Sequence, residues 1–231
     1  MDQSHLIELE QKIGYVFHEK TFLLRALTHR SYLNENSSWK LEHNERLEFL
    51  GDAVLELIVT EYLFKHYQNP EGEMTNWRAA LVNANMLAKI SSDINLNDYI
   101  LLSHGEAKDT GRARQYILAN AMESLIGSIY LDGGYKAAKE FIEHFILCKL
   151  PEIIKKRLYR DSKSLLQEEA QERMGITPVY SVIEEWGPDH ARQFRVGVLL
   201  GREMAGQGEG PSKQEAQQNA AENALKKRGW G

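Results

Sequence analysis

The sequence predicts a multidomain chain: an all-α domain over residues 1–158, followed by a small α+β domain over 159–231 with the order α-β-β-β-α. Two observations carry this. From Leu6 to about Leu158 the apolar residues recur at helical spacing, and no long alternating run interrupts them. After Pro151 the segment EIIKKRLYRDSK turns basic and polar, and beyond it the period changes, as at a domain boundary.

In the first domain, helices are expected over 21–27, 44–67, 74–91, 115–130 and 136–147, separated by loops at 34–38, 69–72, 104–111 and 133–134, where polar residues and glycines cluster. In the second, a helix over 162–174 ends at Gly175, with Pro178 following. A strand over 179–186 leads to the turn GPDH, and a second over 192–200 places Phe194, Val196, Val198 and Leu200 on one face at period two. Gly201 reverses the chain into a third strand, 203–208, and GEGPS precedes a helix from about Lys213 to Lys227. There Ala216, Ala220, Ala221 and Ala224 allow close packing onto a sheet.

With 231 residues, 42% of them hydrophobic, the chain has enough apolar content for two ordered cores. A net charge of −5 excludes a broadly basic nucleic-acid binder, so any RNA site must be local. The first residues carry acids and a lysine rather than a secretory signal, and no stretch is apolar for long enough to span a bilayer. A cytoplasmic protein that makes no use of a membrane is therefore expected. The single cysteine, Cys148, lies in FIEHFILCKL and reads as a buried, inert thiol. The eight histidines show no zinc-site spacing.

The segment HNERLEFLGDAVL, 43–55, carries the chemistry. Asn44 fits an N-cap, and Glu45, Glu48 and Asp52 follow at offsets of three and four, which stacks three carboxylates on one helical face. Apolar neighbours on both sides require part of this helix to be buried beside the acids. Buried carboxylates demand an arginine partner, a proton or a cation. Hard oxygen donors at this density suit Mg²⁺ or Mn²⁺. Asn120 and Glu123, three apart on a second apolar helix, would complete four oxygen ligands if the two helices packed side by side. Spacing alone fits equally well a solvated acidic face paired with Arg30 and Arg46. Gly51 tilts the balance, because a glycine inside a helix is unfavourable unless something must approach closely.

NERLEFLGDAVLEL resembles the signature of the ribonuclease III catalytic domain nearly residue for residue. LTHRSY at 27–32, PEGEMTNWRAALVN at 70–83 and ILANAMESLIGSIYLDGG at 117–134 resemble that family in order and spacing. The resemblance implies metal ligands Glu48, Asp52, Asn120 and Glu123, with Asp52 and Glu123 catalytic and Glu45 and Glu71 as accessory acids. It implies a Mg²⁺-dependent endoribonuclease, with Mn²⁺ able to substitute, that cuts double-stranded RNA to 5′-phosphate and 3′-hydroxyl ends in ribosomal precursor and other RNA processing. It also implies a homodimer formed through the catalytic domain. Phe49, Leu50 and Trp77 are candidates for that interface, or else plain core. The family's usual residue at the position of Asn120 is aspartate. An amide oxygen still ligates a hard cation but brings no charge, so weaker Mg²⁺ binding is expected. An active natural variant is the favoured reading. The alternatives are a catalytically weakened double-stranded-RNA-binding regulator and a dimeric scaffold.

Residues 161–230, with GPDHARQF and GEGPSKQEAQQNAAENAL, resemble the double-stranded-RNA-binding domain. The resemblance implies RNA contacts from Ser164, Gln167, Glu168 and Gln171 on the first helix, from Pro188, Asp189 and His190 in the turn, and from Ser212 and Lys213 at the start of the last helix. Polar side chains suit the 2′-hydroxyls of the shallow minor groove, and a helix amino end suits phosphate. The last helix is less basic than the family pattern, with Gln214, Gln217, Gln218 and Asn219 near its start. Arg202, Lys226, Lys227 and Arg228, or the linker cations Lys155, Lys156, Arg157 and Arg160, are candidates for the missing charge; solubility alone explains them as well.

Overall fold

The computed structural model describes residues 3–108, 110–157, 159, 161–188 and 192–230. The chain divides into two compact units, Met1–Tyr159 and Arg160–Gly231.

The first unit is helical throughout: α1 (Gln3–Ile13), α2 (Lys20–Leu27), α3 (Arg30–Glu35), α4 (Glu45–His66), α5 (Glu71–Val82), α6 (Ala84–Asp93), α7 (His104–Lys108), α8 (Arg112–Phe145) and α9 (Leu150–Lys155). The hub is α8, whose segment 117–129 is almost entirely buried and receives α4, α6 and α2. From α4, Val54, Leu55, Ile58, Val59 and Leu63 enter the same core.

Several expectations change here. The helix expected over 74–91 is two helices, because Asn83 adopts extended backbone and its side chain caps the second, accepting from the Met86 N–H at 2.9 Å. The loop expected at 104–111 contains α7, and 34–35 belong to α3. No loop separates the halves of α8. Instead Gly134 alone leaves the helical region, at φ 74° and ψ −172°, and kinks the element. Asn44 is not a side-chain cap. It is buried, its N–H donates to the Thr28 carbonyl at 2.9 Å and its amide reaches the Ala26 carbonyl at 3.4 Å, so it ties α4 to the end of α2. Cys148 is exposed rather than buried, on the short turn between α8 and α9. Trp77 is core, edge-on to Tyr67 and Tyr159, whereas Phe49 is 82% exposed.

The second unit contains α10 (Ser162–Met174), β1 (Val179–Trp186), β2 (Gln193–Leu200), β3 (Glu203–Gly210) and α11 (Lys213–Arg228). The strands form an antiparallel sheet in the order β1-β2-β3. Leu166 and Ala170 of α10, Val198 and Leu200 of β2, and Ala220, Ala221 and Ala224 of α11 make the core. β3 runs two residues beyond the expected Gly208, because its glycines face the helix rather than forming a turn. A Cβ on Gly206 would stand 2.5 Å from the Ala220 carbonyl oxygen, and one on Gly208 would stand 2.2 Å from the Ala220 nitrogen. Side chains there would lift α11 off the sheet.

Candidate active site and RNA-facing unit

Gly51 explains how the two acidic helices meet. A Cβ on Gly51 would lie 1.7 Å from the Glu123 carbonyl oxygen, and one on Gly127 would lie 2.3 Å from the Leu47 carbonyl oxygen. At this crossing α4 and α8 are in backbone contact, and only glycine permits it. Ser124 adds a hydrogen-bonded link, its hydroxyl lying 2.7 Å from the Asn120 carbonyl and 3.3 Å from that of Asn44. Sequence reasoning singled out Gly51 but missed Gly127 and Ser124. Their signal was the run of small residues in ESLIGS, which reads equally well as ordinary buried helix.

The crossing brings Glu48 and Asp52 of α4 up to Asn120 and Glu123 of α8. Burial, followed by the charges of Asp52 and Glu48, pushes Glu123 up to about 7. Burial and the Glu45 charge raise Glu48, and a hydrogen bond from Asn120 partly offsets them, while Asp52 adds to the rise. Among the described residues no lysine or arginine pairs with Glu48, Asp52 or Glu123. Arg30 pairs with Glu45 at 3.3 Å, and Arg46 with Glu42 at 3.6 Å. The acidic face therefore divides, with Glu45 salt-bridged at the rim and the inner carboxylates left without a cation.

Three carboxylates and an amide oxygen fit a hard divalent cation in donor type, and the raised Glu48 and Glu123 mark negative charge that such an ion would relieve. Among the described residues no three Asp, Glu, His or Cys side chains close on one point as a finished metal cage would. The acids flank a shared space and repel one another across it.

Glu71 is not part of this cluster. It is exposed at the start of α5 and lines a surface hollow with Thr60, Leu63, Phe64 and Arg78, near the opposite end of α4. Eight residues of helix separate Asp52 from Thr60, about 12 Å of rise.

In the second unit, Ser164, Gln167, Glu168 and Gln171 are all exposed and form one stripe on α10 at helical spacing. Ser212 caps α11 by accepting from the Glu215 N–H at 3.2 Å. Lys213 follows, its ammonium 5.6 Å from the Phe194 ring centroid. Pro188 is exposed in the turn between β1 and β2. Asp189 and His190 lie outside the described residues, as does Arg160.

Comparison with known proteins gives the same division. The family described as ribonuclease-III-like matches residues 19–150, and the double-stranded RNA binding motif matches 162–228. The chain is 45% identical over 228 residues to a Campylobacter jejuni protein named Ribonuclease 3, covering 98% of this chain and 99% of that one. It is 44% identical to the Enterococcus faecalis Ribonuclease 3, with 98% of each chain covered. A crystal structure of the nuclease domain of ribonuclease III from Campylobacter jejuni superposes with a TM-score of 0.57 and 43% identity, covering 65% of this chain and 98% of that one. A second structure of that domain concerns flexibility in its region involved in dimer formation, and gives 0.56 at 44% identity over 62% of this chain and 97% of that one. Among the described residues no helix is long and apolar enough to cross a membrane.

Proposed function

Since this chain belongs to the ribonuclease III family, an endoribonuclease family specific for double-stranded RNA and dependent on divalent metal, we propose that Glu48, Asp52, Asn120 and Glu123 hold Mg²⁺, or Mn²⁺ in its place, against the scissile strand. The observation that carries this is the glycine crossing of α4 and α8, which gathers inner acids with no cation of their own. Bound there, the ion would activate a water and offset charge developing on the phosphate. Asp52 and Glu123 are the catalytic pair. Burial holds the Glu123 carboxyl toward its protonated form in the metal-free protein, and a bound ion would favour release of that proton. Asn120 supplies an oxygen without charge, and its amide orients Glu48. Glu45, tied to Arg30, lies at the rim of the cleft.

Cleavage would leave 5′-phosphate and 3′-hydroxyl ends. The unpaired acids repel an RNA backbone until metal is bound, so the first hold on the duplex falls to the second unit. Its contacts would come from Ser164, Gln167, Glu168, Gln171, Pro188, His190, Ser212 and Lys213. One acidic cluster cuts one strand, and a homodimer supplies two. Phe49, Leu57 and Phe64 form an exposed apolar stripe along α4 that fits a symmetric interface. Glu71 lines the hollow beside Phe64, so it would enter a cleft only if a second copy carried it there. Ribosomal precursor RNA in the cytoplasm is the proposed substrate setting. No comparison favours a binding-only regulator.

The test is labelled duplex RNA incubated with Mg²⁺. Cleavage is expected, with a chelator stopping it and Asp52→Asn abolishing it while leaving RNA binding intact. Full cleavage by Asp52→Asn would overturn the assignment of the site.

A further inference from the structure

The start of α11 is short of charge for a surface that meets phosphates. From Lys213 to Lys226 the helix carries no other lysine or arginine, and positions 214, 217, 218 and 219 are Gln, Gln, Gln and Asn. Each phosphate neutralised by a cation contributes to affinity and to its salt dependence. The structure brings a second cation to this face from another helix. Lys163 lies in the first turn of α10, where its N–H donates to the capping Asp161 carboxylate at 2.9 Å. Its side chain crosses to α11, and the ammonium donates to Gln217 Oε1 at 2.7 Å. The same ammonium stands 5.1 Å from the Tyr180 ring centroid, much as that of Lys213 stands 5.6 Å from Phe194.

Gln217 is four residues beyond Lys213 and on the same face, about 6 Å further along the helix. The Lys163 ammonium therefore sits where a lysine at position 217 would place its charge. Among the described residues no carboxylate forms an ion pair with it, and its partners, an amide oxygen and a ring face, leave the positive charge uncancelled. A lysine whose purpose was only to join α10 to α11 would be better served by a carboxylate at 217.

We propose that Lys163 is a further phosphate-binding residue of the RNA-binding unit, held across α11 by Gln217 in place of a second lysine on that helix. The proposal rests on the reading that Ser212 and Lys213 face duplex RNA. The test uses the full chain without divalent metal, so that RNA is bound and not cut. Anisotropy of a labelled duplex is followed across a salt series for the unaltered protein, Lys163→Gln, Lys163→Arg and the double variant Lys163→Gln/Gln217→Lys. For Lys163→Gln, affinity is expected to fall roughly three- to tenfold and the slope of log K against log salt to shrink by about 1. Lys163→Arg should keep the slope, and the double variant should restore it by carrying the charge on α11 itself. An unchanged slope in Lys163→Gln would overturn the proposal, as would a double variant that restores nothing, since a purely structural lysine affects stability rather than counterion release. Failure of the unaltered chain to bind duplex RNA at all would instead remove the reading on which the proposal rests.

Discussion

Replacing Glu123 by glutamine should stabilise the metal-free protein. The Glu123 carboxyl is held at about 7 against an ordinary 4.5, so its folded form binds a proton that the unfolded chain has already released. Stability contributed at this position is intact below pH 4.5 and is lost as pH rises toward 7. At about 1.4 kcal/mol per tenfold change in the ionisation constant, the full loss above pH 7 is about 3.5 kcal/mol, and partial exposure to solvent reduces it to about 2 kcal/mol. Glutamine preserves shape and removes the charge. Urea unfolding of the helical unit, followed by far-ultraviolet circular dichroism in chelator, should therefore show Glu123→Gln about 2 kcal/mol more stable at pH 8 and equal to the unaltered protein near pH 4. Added Mg²⁺ should reverse the order, because only the carboxylate form gains fully from the ion. A Glu123→Gln protein no more stable than its parent at pH 8, or a gain that persists unchanged at pH 4, would refute the claim that burial and the neighbouring acids together disfavour the Glu123 carboxylate.

Gly51→Ala would drive a methyl group into the Glu123 carbonyl, which must cost about 3 kcal/mol or more and push α4 from α8; calorimetry of Mn²⁺ binding should show weakened affinity in any variant that still folds. Asp132 accepts from the Tyr15 hydroxyl and from the N–H groups of His18 and Glu19; burial opposes its ionisation, yet these bonds hold it down at about 2. Because that value lies below the ordinary 3.8, the carboxylate contributes about 2 kcal/mol above pH 4 that fades as pH falls to 2, and Asp132→Asn should lose it at pH 7 in a denaturant titration. Phe49→Asp should convert the proposed dimer to monomer in sedimentation, since a side chain 82% exposed has little to lose in the isolated protomer. Asn120→Asp should lower the Mg²⁺ concentration needed for half-maximal cleavage, because a fourth carboxylate adds charge to the same oxygen set.

The elements that sequence alone placed well are those whose signal is local. α10 and β1 matched at both ends, since Gly175 ends the helix and Pro178 stands directly before the strand. The errors arose where tertiary contact overrides local preference. Asn44 resembles a cap, yet its amide is used to anchor α4 to α2. Gly208 and Gly210 resemble a turn, yet they are the flat track on which α11 lies. Cys148 sits in an apolar segment, but the chain turns there and presents it outward.

The candidate site shows the same division more sharply. That Glu48 and Asp52 share a face follows from helical period, as does the pairing of Asn120 with Glu123, but nothing local states that these two faces meet. Gly51 held that information in incomplete form, because a glycine reports that something approaches without naming it. The counterpart was Gly127, and the two together fix which turn of α4 lies on which turn of α8. A shift of one turn would carry Asp52 about 5.4 Å past Glu123, and the Asp52 charge would no longer help to raise the Glu123 carboxyl. Glu71 marks the limit of this logic: no glycine contact draws it toward the cluster, and it stays at the distant end of α4, where only another chain would give it acidic company.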